Sequence, residues 1–457
     1  MVQKKALKTA VREYEKTFNG FSIGLGKMGF LQGRTTSENC DCTGGIMRVG
    51  IGVRAVSGVL GDSIPLPLNL PAPQAFFTRR VKGADGTYLK TYALLSENGT
   101  VYEYNEANNA WTKTFSFNER MTAVTAFDEN KEFVQLLAGD SGVYQVSGSG
   151  VIKTGLARAS TVACFYKSRF FCAVKPFSIA YSAPFKPTDF AQSIHDGGEV
   201  CLPREKGEIV ALVPFLGKLC ILYARGIAFL SLAGTAREFA FEEVEYQGGE
   251  IVGASAGVVS VGGKKLFFLA SDGVYCFDGN TAERTCKNID ILPSLGIQVC
   301  NHAEFDGKYF ASFYDRNGVK RGLIVDGESG DGYYAFAPEG VCNLDGEAIC
   351  SADGFLQNLC VGGDLPANEQ AVFECTTDFS VSGLKTLKAL TFFGEGAFEI
   401  CVESVRGMQT DELVFVDGVA RFKTGLRGEI FTIRVTLKKG AVLRGVRAKW
   451  QRLDGLK

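Results

Sequence analysis

The residues that could carry out catalysis are few in this chain and widely spaced. Only two of its 457 residues are histidines, His195 and His302, so a serine–histidine–aspartate or cysteine–histidine group has few ways to form. Neither histidine belongs to a nucleophile elbow, because the motif G-x-S-x-G is absent. The sequence therefore predicts a protein that is not an enzyme and has no catalytic residues.

Carboxylates offer a second route to chemistry, since glycoside hydrolysis uses a pair of them. Asp272, Asp306 and Asp353 are candidates, but each precedes a glycine, and Asp before Gly is first of all a turn former. Sialidase-type S-x-D-x-G-x-T-W boxes do not occur. A glycoside hydrolase therefore stays only as a second alternative function.

Metal and nucleotide sites are weakly indicated. The acidic, glycine-rich segment with Asp326, Glu328 and Asp331 could bind Ca²⁺, but it lacks the alternating ligands of an EF-type loop, and a solvated turn is the preferred interpretation. Residues 24–29 match the dinucleotide fingerprint G-x-G-x-x-G, yet the residues that follow do not open a helix. We expect no metal and no cofactor.

The 14 cysteines are scattered, form no C-x-x-C pair and accompany few histidines, which argues against a zinc site. Several of them, such as Cys172 and Cys220, lie in apolar runs. We interpret them as free cysteines that act as small buried hydrophobes, which places synthesis in a reducing compartment. Residues 1–18 show no apolar core of a signal peptide, and no run of about 18 apolar residues predicts a membrane span.

The elements that would position any site are short strands between glycine turns. Residues 262–279, GGKKLFFLASDGVYCFDG, read as a turn, a short apolar strand, a second turn at Asp272-Gly273 and a further strand. The second turn and its strand recur at Asn98-Gly99, Ser141-Gly142, Arg225-Gly226, Asp331-Gly332 and Asp353-Gly354, with a degenerate copy at Phe177–Tyr181. The upstream turn recurs at Gly217, Gly263, Gly307 and Gly346. From Gly99 to Gly273 the copies lie roughly 36 to 48 residues apart, which is typical of propeller blades.

The sequence therefore predicts an all-β fold with a six- or seven-bladed β-propeller over residues 76–380. One or two β-sandwiches that reuse Asp-Gly turns by chance are the alternative. The propeller is favoured because the turn and the hairpin repeat together. A blade of about 40 residues cannot bury both of its faces alone, whereas closing the ring covers them.

Three further segments flank the predicted propeller. Residues 1–18 form an N-terminal arm, for which the helical spacing of apolar residues from Ala6 to Tyr14 predicts a helix. Residues 19–75 combine glycine-rich strands with a strap whose four prolines, between Pro65 and Pro73, block helix and sheet interior. Residues 381–457 alternate apolar and polar positions, as in Phe431–Leu437, which predicts a sandwich-like β domain.

The charge is balanced overall but not locally. A formal net charge of −1 argues against a global attraction to nucleic acid or membrane. From residue 421 onward only Glu429 and Asp454 oppose a set of basic residues, namely Arg421, Lys423, Arg427, Arg434, Lys438, Lys439, Arg444, Arg447, Lys449, Arg452 and Lys457. This basic tail could face an acidic partner subunit or DNA, and a solvated positive face is the simpler alternative.

Three segments carry a resemblance to a known class of proteins. They are Asn39–Gly52 (NCDCTGGIMRVGIG), Ile179–Phe190 (IAYSAPFKPTDF) and Leu219–Ile227 (LCILYARGI). In pattern and order, over roughly residues 20–290, the chain resembles propeller-bearing virion proteins of tailed bacteriophages, such as nozzle or hub proteins of short-tailed phages. The resemblance implies a structural protein of the virion tail, made in the host bacterial cytoplasm, that associates with copies of itself and with other tail proteins.

A carbohydrate- or receptor-binding propeller, an adsorption protein, is the first alternative function. Such proteins usually expose aromatic side chains at loop tips. The chain has only two tryptophans, and one of them, Trp450, lies in the basic tail, so sugar stacking has little support.

Overall fold

The structure of the chain is a computed structural model without ligand, metal or partner chain. The structure describes residues 13–18, 21, 35–56, 63–67, 73–82, 87–147, 150–156, 158–174, 177–192, 196–232, 239–260, 263–287, 289, 291, 293, 301–379 and 381–452. Within these ranges the regular structure is almost entirely strand, and a short 3-10 turn spans Thr43–Gly45. None of the described helical structure has the length and apolar character that a membrane crossing requires.

Five short strands precede the propeller. They are β1 (Glu13–Phe18), β2 (Thr35–Glu38), β3 (Cys40–Asp41), β4 (Met47–Val49) and β5 (Ile51–Ala55).

The propeller contains seven four-stranded units in chain order within the described residues, and six of them are self-contained sheets. Blade 1 consists of β6 (Pro73–Lys82), β7 (Tyr88–Ser96), β8 (Thr100–Asn105) and β9 (Ala110–Ser116). Blade 2 consists of β10 (Thr122–Phe127), β11 (Phe133–Gly139), β12 (Gly142–Ser147) and β13 (Gly150–Lys153). Blade 3 consists of β14 (Ala163–Tyr166), β15 (Arg169–Val174), β16 (Ser178–Tyr181) and β17 (Gly198–Cys201). Blades 4 and 5 consist of β18 (Ile209–Phe215), β19 (Lys218–Tyr223), β20 (Gly226–Ser231) and β21 (Ala240–Val244); and β22 (Gly257–Ser260), β23 (Lys264–Ala270), β24 (Gly273–Phe277) and β25 (Ala282–Thr285). Blade 6 consists of β26 (Asn301–Phe305), β27 (Lys308–Tyr314), β28 (Lys320–Asp326) and β29 (Gly332–Ala335).

Blade 7 closes the ring with a strand from the N-terminal segment. It combines β30 (Glu339–Leu344), β31 (Glu347–Ala352) and β32 (Phe355–Val361) with β5, which pairs antiparallel to β32 from Ile51↔Val361 to Ala55↔Gln357. The first strands of blades 7 and 1 contact each other, so no blade face is left open at the closure. This arrangement confirms the predicted all-β propeller and places β5, which the sequence assigns to the glycine-rich strands before the propeller, inside a blade.

The repeated glycines occupy equivalent places in most blades. Gly99, Gly142, Gly226 and Gly273 lie at the turn before the third strand of blades 1, 2, 4 and 5, and the degenerate copy at Ser178 opens the third strand of blade 3. The upstream turn glycines separate the first and second strands of blades 4 to 7. One copy is misplaced by the sequence pattern, because Gly332 opens the fourth strand of blade 6 rather than its third.

A β-sandwich follows the propeller, and its strands begin before the predicted boundary at residue 381. They are β33 (Ala371–Thr377), β34 (Lys385–Glu395), β35 (Ala397–Ser404), β36 (Gly407–Val414), β37 (Val419–Lys423), β38 (Arg427–Gly428), β39 (Phe431–Leu437) and β40 (Val442–Arg452). One sheet contains β3, β4, β40, β34 and β37, with β1 and β38 alongside, and the other runs β2-β33-β39-β35-β36. Apolar residues of both inner faces, including Phe373, Phe392 and Trp450, form one core.

The predicted N-terminal helix is wrong where the structure describes it. Glu13–Phe18 is strand β1, which pairs antiparallel with β40, whereas residues 1–12 lie outside the described residues. Within β1 the side chains alternate, because Tyr14 stacks on Trp450 and Glu13 pairs with Lys449 on the opposite face. The open edge of β40 satisfies the β1 backbone, and this pairing partner cannot be seen in the local spacing that suggested a helix.

Candidate functional site

The central channel of the propeller encloses a cavity of about 700 Å³. Each of the seven blades contributes wall residues, mostly from its first strand or the segment just before it. The wall mixes backbone with polar side chains such as Gln74, Arg120, Glu208, His302 and Asn343. Propellers commonly carry their binding or catalytic sites along the central channel, so this channel is the candidate site.

The most reactive arrangement in the channel is a histidine–carboxylate pair on β26. His302 Nδ1 lies 2.9 Å from the carbonyl oxygen of Ala254, which can only accept, so Nδ1 carries the proton. The other ring nitrogen, Nε2, lies 3.6 Å from Glu304 Oε1. Burial raises the pKa of the Glu304 carboxyl, and the imidazole of His302 partly offsets this. The two side chains therefore lie close together, although 3.6 Å is longer than a hydrogen bond.

Neighbouring blades hold Glu304 in place from both sides. The amide group of Asn343 in blade 7 accepts from the Glu304 backbone N–H at 2.9 Å and donates to the Glu304 carbonyl at 2.7 Å. On the blade 5 side, Gly257 leaves the room that the carboxylate occupies, because a Cβ there would overlap Glu304 Oε1. The pair is thus part of the contact between three blades as well as of the channel wall.

Cys342 is the cysteine that lines the described part of the channel wall, and its surroundings do not activate it as a nucleophile. Its thiol donates to the Phe76 carbonyl at 3.2 Å, and burial raises its pKa to about 11. A thiol with such a pKa is hardly ionised near neutral pH and is a poor nucleophile. Across the wall, Gln74 donates to the Met121 carbonyl at 2.9 Å, while its buried Oε1 has no hydrogen-bond partner among the residues that the structure describes. The buried Gln74 Oε1 gives the described wall an acceptor that a bound water or a small polar group could use.

The candidate catalytic carboxylates from the sequence are turn residues. Asp272 accepts hydrogen bonds from the backbone of Gly249 and from Tyr275, Asp353 accepts from the backbone of Ala367, and Asp306 lies in a tight turn with φ of 47°. None of these aspartates belongs to the channel wall, whose acidic residues are Glu208 and Glu304. His195 lies outside the described residues.

The acidic segment considered for Ca²⁺ is engaged in its own turn. Asp326 accepts hydrogen bonds from the backbone of Glu328 and Ser329, at 3.1 and 2.9 Å, and pairs with Lys308 at 3.1 Å. Within the described ranges, no group of three or more His, Cys, Asp or Glu side chains is arranged to hold a metal. The cysteines that the structure describes are all free, and most of them are buried or half-buried.

The basic tail is partly neutralised by carboxylates that are distant in sequence. The ion pairs are Arg434–Glu374, Lys438–Glu412, Lys439–Asp364, Arg444–Glu395, Arg447–Glu15 and Lys449–Glu13. The positive field of the tail is weaker than the sequence suggests, because carboxylates of other strands oppose its basic residues in addition to Glu429 and Asp454. These pairs lower the net positive field of the tail, and contact of the tail with DNA or an acidic partner stays a prediction.

Comparisons with known proteins bear on the fold alone. No protein-family model and no curated protein matches the sequence. Among solved structures, the WD40 β-propeller domain of Doa1 is 11% identical, with 68% of this chain and 97% of that chain covered and a TM-score of 0.43. The extracellular domain of a putative one-component system from B. thetaiotaomicron is 10% identical, with 79% and 55% covered and a TM-score of 0.43. The β-propeller domain of Cps50 (Swd1) from Myceliophteria thermophila is 15% identical, with 64% and 96% covered and a TM-score of 0.37. At such similarity these structures indicate nothing about activity or partners.

Proposed function

We propose that this chain is a structural component of a bacteriophage virion and part of the tail, as a nozzle or hub protein or a ring associated with the tail tube. It acts by self-association and by docking to other tail proteins, and it is not an enzyme. The sequence resemblance of residues 39–52, 179–190 and 219–227 supports this proposal. The observation that carries it is the joint between the propeller and the sandwich.

The joint is a strand shared by both domains. β2 pairs antiparallel with β33 of the sandwich and parallel with β29 of blade 6, at Glu38↔Tyr334, so one sheet of nine strands runs from the channel side of blade 6 into the sandwich. A continuous hydrogen-bonded sheet resists rotation between domains far better than a flexible linker does. A component that transmits contacts along a tail requires this kind of stiffness.

Asn39, in the segment that carries the resemblance, is the centre of the joint. Its side chain accepts from the buried backbone N–H of Phe336 at 2.6 Å and donates to the Gln370 carbonyl at 2.9 Å. Its own backbone N–H donates to the Tyr334 carbonyl at 2.8 Å. Asn39 adopts a φ of 55°, a conformation that asparagine tolerates better than most residues. One residue thus connects the propeller, at Tyr334 and Phe336, to the start of the sandwich at Gln370.

Peptide mass spectrometry of purified particles tests the proposal directly, together with antibody labelling in the electron microscope. We expect peptides of this chain in the particle and label at the tail. Absence from particles, combined with tight binding of the recombinant protein on a glycan array, would instead favour an adsorption protein that acts outside the tail structure.

A further inference from the structure

The two outer faces of the sandwich carry opposite charge. On one sheet, β35 alternates the buried residues Phe398, Ile400 and Val402 with the outward residues Glu399 and Glu403. On the other sheet, β37 alternates the buried residues Ala420 and Phe422 with the outward residues Val419, Arg421 and Lys423. Because the two sheets pack against each other through their buried sides, these charges point away from opposite sides of the same domain.

The first surface, called here the acidic face, consists of Glu399, Glu403 and Glu412 with Met408 and Val414. Arg434 of β39 lies opposite Cys401 on the same face, where its charge is paired with Glu374. In the β35–β36 ladder Glu399 lies directly opposite Glu412, and Glu403 lies opposite Met408. Like charges directly opposite each other on a sheet are destabilising. Lys438 approaches Glu412 only to 4.0 Å, and Glu399 has no ion pair with any residue the structure describes. An incoming cation would relieve this repulsion.

The second surface, called here the basic face, consists of Val419, Arg421, Lys423 and Arg427. The neighbouring cations Arg447 and Lys449 are already paired with Glu15 and Glu13 of β1. In the described part of the chain, Arg421, Lys423 and Arg427 have no carboxylate within ion-pair distance.

Both faces also expose apolar side chains beside their charges. On the acidic face Met408 is 66% exposed and Val414 is 62% exposed. On the basic face Val419 is 38% exposed. Apolar residues within a charged rim are typical of protein contact surfaces, because their burial supplies affinity while the charges select the partner.

We propose that the acidic face of one copy of this chain docks on the basic face of the next copy. A second copy is the occupant because each chain carries both complementary halves on opposite sides of one domain. A contact between two different faces is head-to-tail, so it propagates around a closed ring or along a stack. The inference rests on the self-association in the proposed function and names the surfaces that make it.

Charge reversal tests this docking in solution. The variant E399K/E412K carries two basic faces, and R421E/K423E carries two acidic faces. Wild-type protein should form species whose mass by light scattering or sedimentation velocity exceeds the 49.3 kDa monomer. Each variant alone should weaken assembly at least tenfold. An equimolar mixture should assemble again, because the basic faces of one variant meet the acidic faces of the other.

The matched control is E97K/E129K, which changes the net charge equally through two exposed residues in turns of blades 1 and 2. It should assemble like wild type, and 1 M salt should weaken wild-type assembly because surface charges are then screened within about 3 Å. Thermal melts of the variants verify that each is folded.

The outcomes separate this inference from the proposed function. If wild type assembles and both reversed variants assemble equally well, these faces are not the interface, although self-association stands. If the mixture of folded variants stays monomeric, the head-to-tail contact is wrong. If wild type remains monomeric up to high concentration, self-association itself fails, and mass spectrometry of particles then decides separately whether the chain belongs to the virion.

Discussion

Replacing Asn39 by alanine should loosen the joint between the propeller and the sandwich. The substitution leaves the buried Phe336 N–H and the Gln370 carbonyl without the amide that now bonds both. The Phe336 N–H is buried, and an unsatisfied buried group costs about 1–3 kcal/mol, whereas Gln370 is exposed and water can replace the bond to its carbonyl. Alanine at a φ of 55° adds about 1–2 kcal/mol of backbone strain.

Asn118→Ala is the matched control for the backbone cost. Asn118 has a φ of 58° and is exposed, so its replacement introduces the same left-handed backbone strain without disturbing the joint between propeller and sandwich. The excess of about 2 kcal/mol for Asn39→Ala corresponds to about 2 °C in melting temperature, if unfolding of the 457 residues has an entropy of about 2.1 cal/mol/K per residue.

Hydrogen exchange locates the effect. In Asn39→Ala the amides of Phe336 and of β2 should exchange faster, while the amides of blades 2 to 4 stay as protected as in wild type. If Asn39→Ala and Asn118→Ala show the same melting temperature and the same exchange at Phe336, the joint does not depend on this side chain and the reasoning is wrong.

Three further outcomes follow from the fold and the channel. Gly273→Val should lower stability by about 1–3 kcal/mol, because Gly273 has a φ of 148°, whereas Gly150→Val, where an added Cβ meets open space, should melt like wild type. Burial raises the pKa of Glu304 in the folded state. Wild type should therefore lose stability relative to Glu304→Gln as the pH rises from about 4 through that pKa. A difference between their urea midpoints that is constant with pH would contradict this. With Ellman's reagent at pH 8, the exposed Cys201 should react first among the cysteines that the structure describes, and Cys172, whose pKa burial raises to about 12, should react only on unfolding. Cys300 lies outside the described residues, so the test uses a Cys300→Ser background, in which a fast phase that survives in Cys201→Ser would disprove this order.

The blades could be predicted from the sequence because their turns are local chemistry. The positive φ of a glycine such as Gly273 is required by a turn of a few residues, so the position of that turn can be recognised from the sequence alone. The same chemistry does not say which turn of a blade is formed, so the Asp331-Gly332 copy was assigned to the wrong strand. Position in the blade is decided by pairing with neighbouring strands.

Features that depend on distant partners could not be predicted. β1 is a strand because β40, more than 400 residues later, offers an open edge. Likewise the pairing of His302 with Glu304 follows from the two-residue period of a strand, but the bonds that Asn343 supplies come from the next blade. The opposite charges of the two sandwich faces become visible only when the strands are assigned to sheets.

The closure of blade 7 by β5 has a consequence for biosynthesis. About 300 residues separate Ala55 at the end of β5 from Phe355 at the start of β32, its partner. At a translation rate of about 5–20 residues per second, β5 waits roughly 15 to 60 s after synthesis before its partner leaves the ribosome. Six blades can therefore form on the nascent chain while the seventh is still missing a strand, and the ring locks only when an early and a late segment of the polypeptide meet.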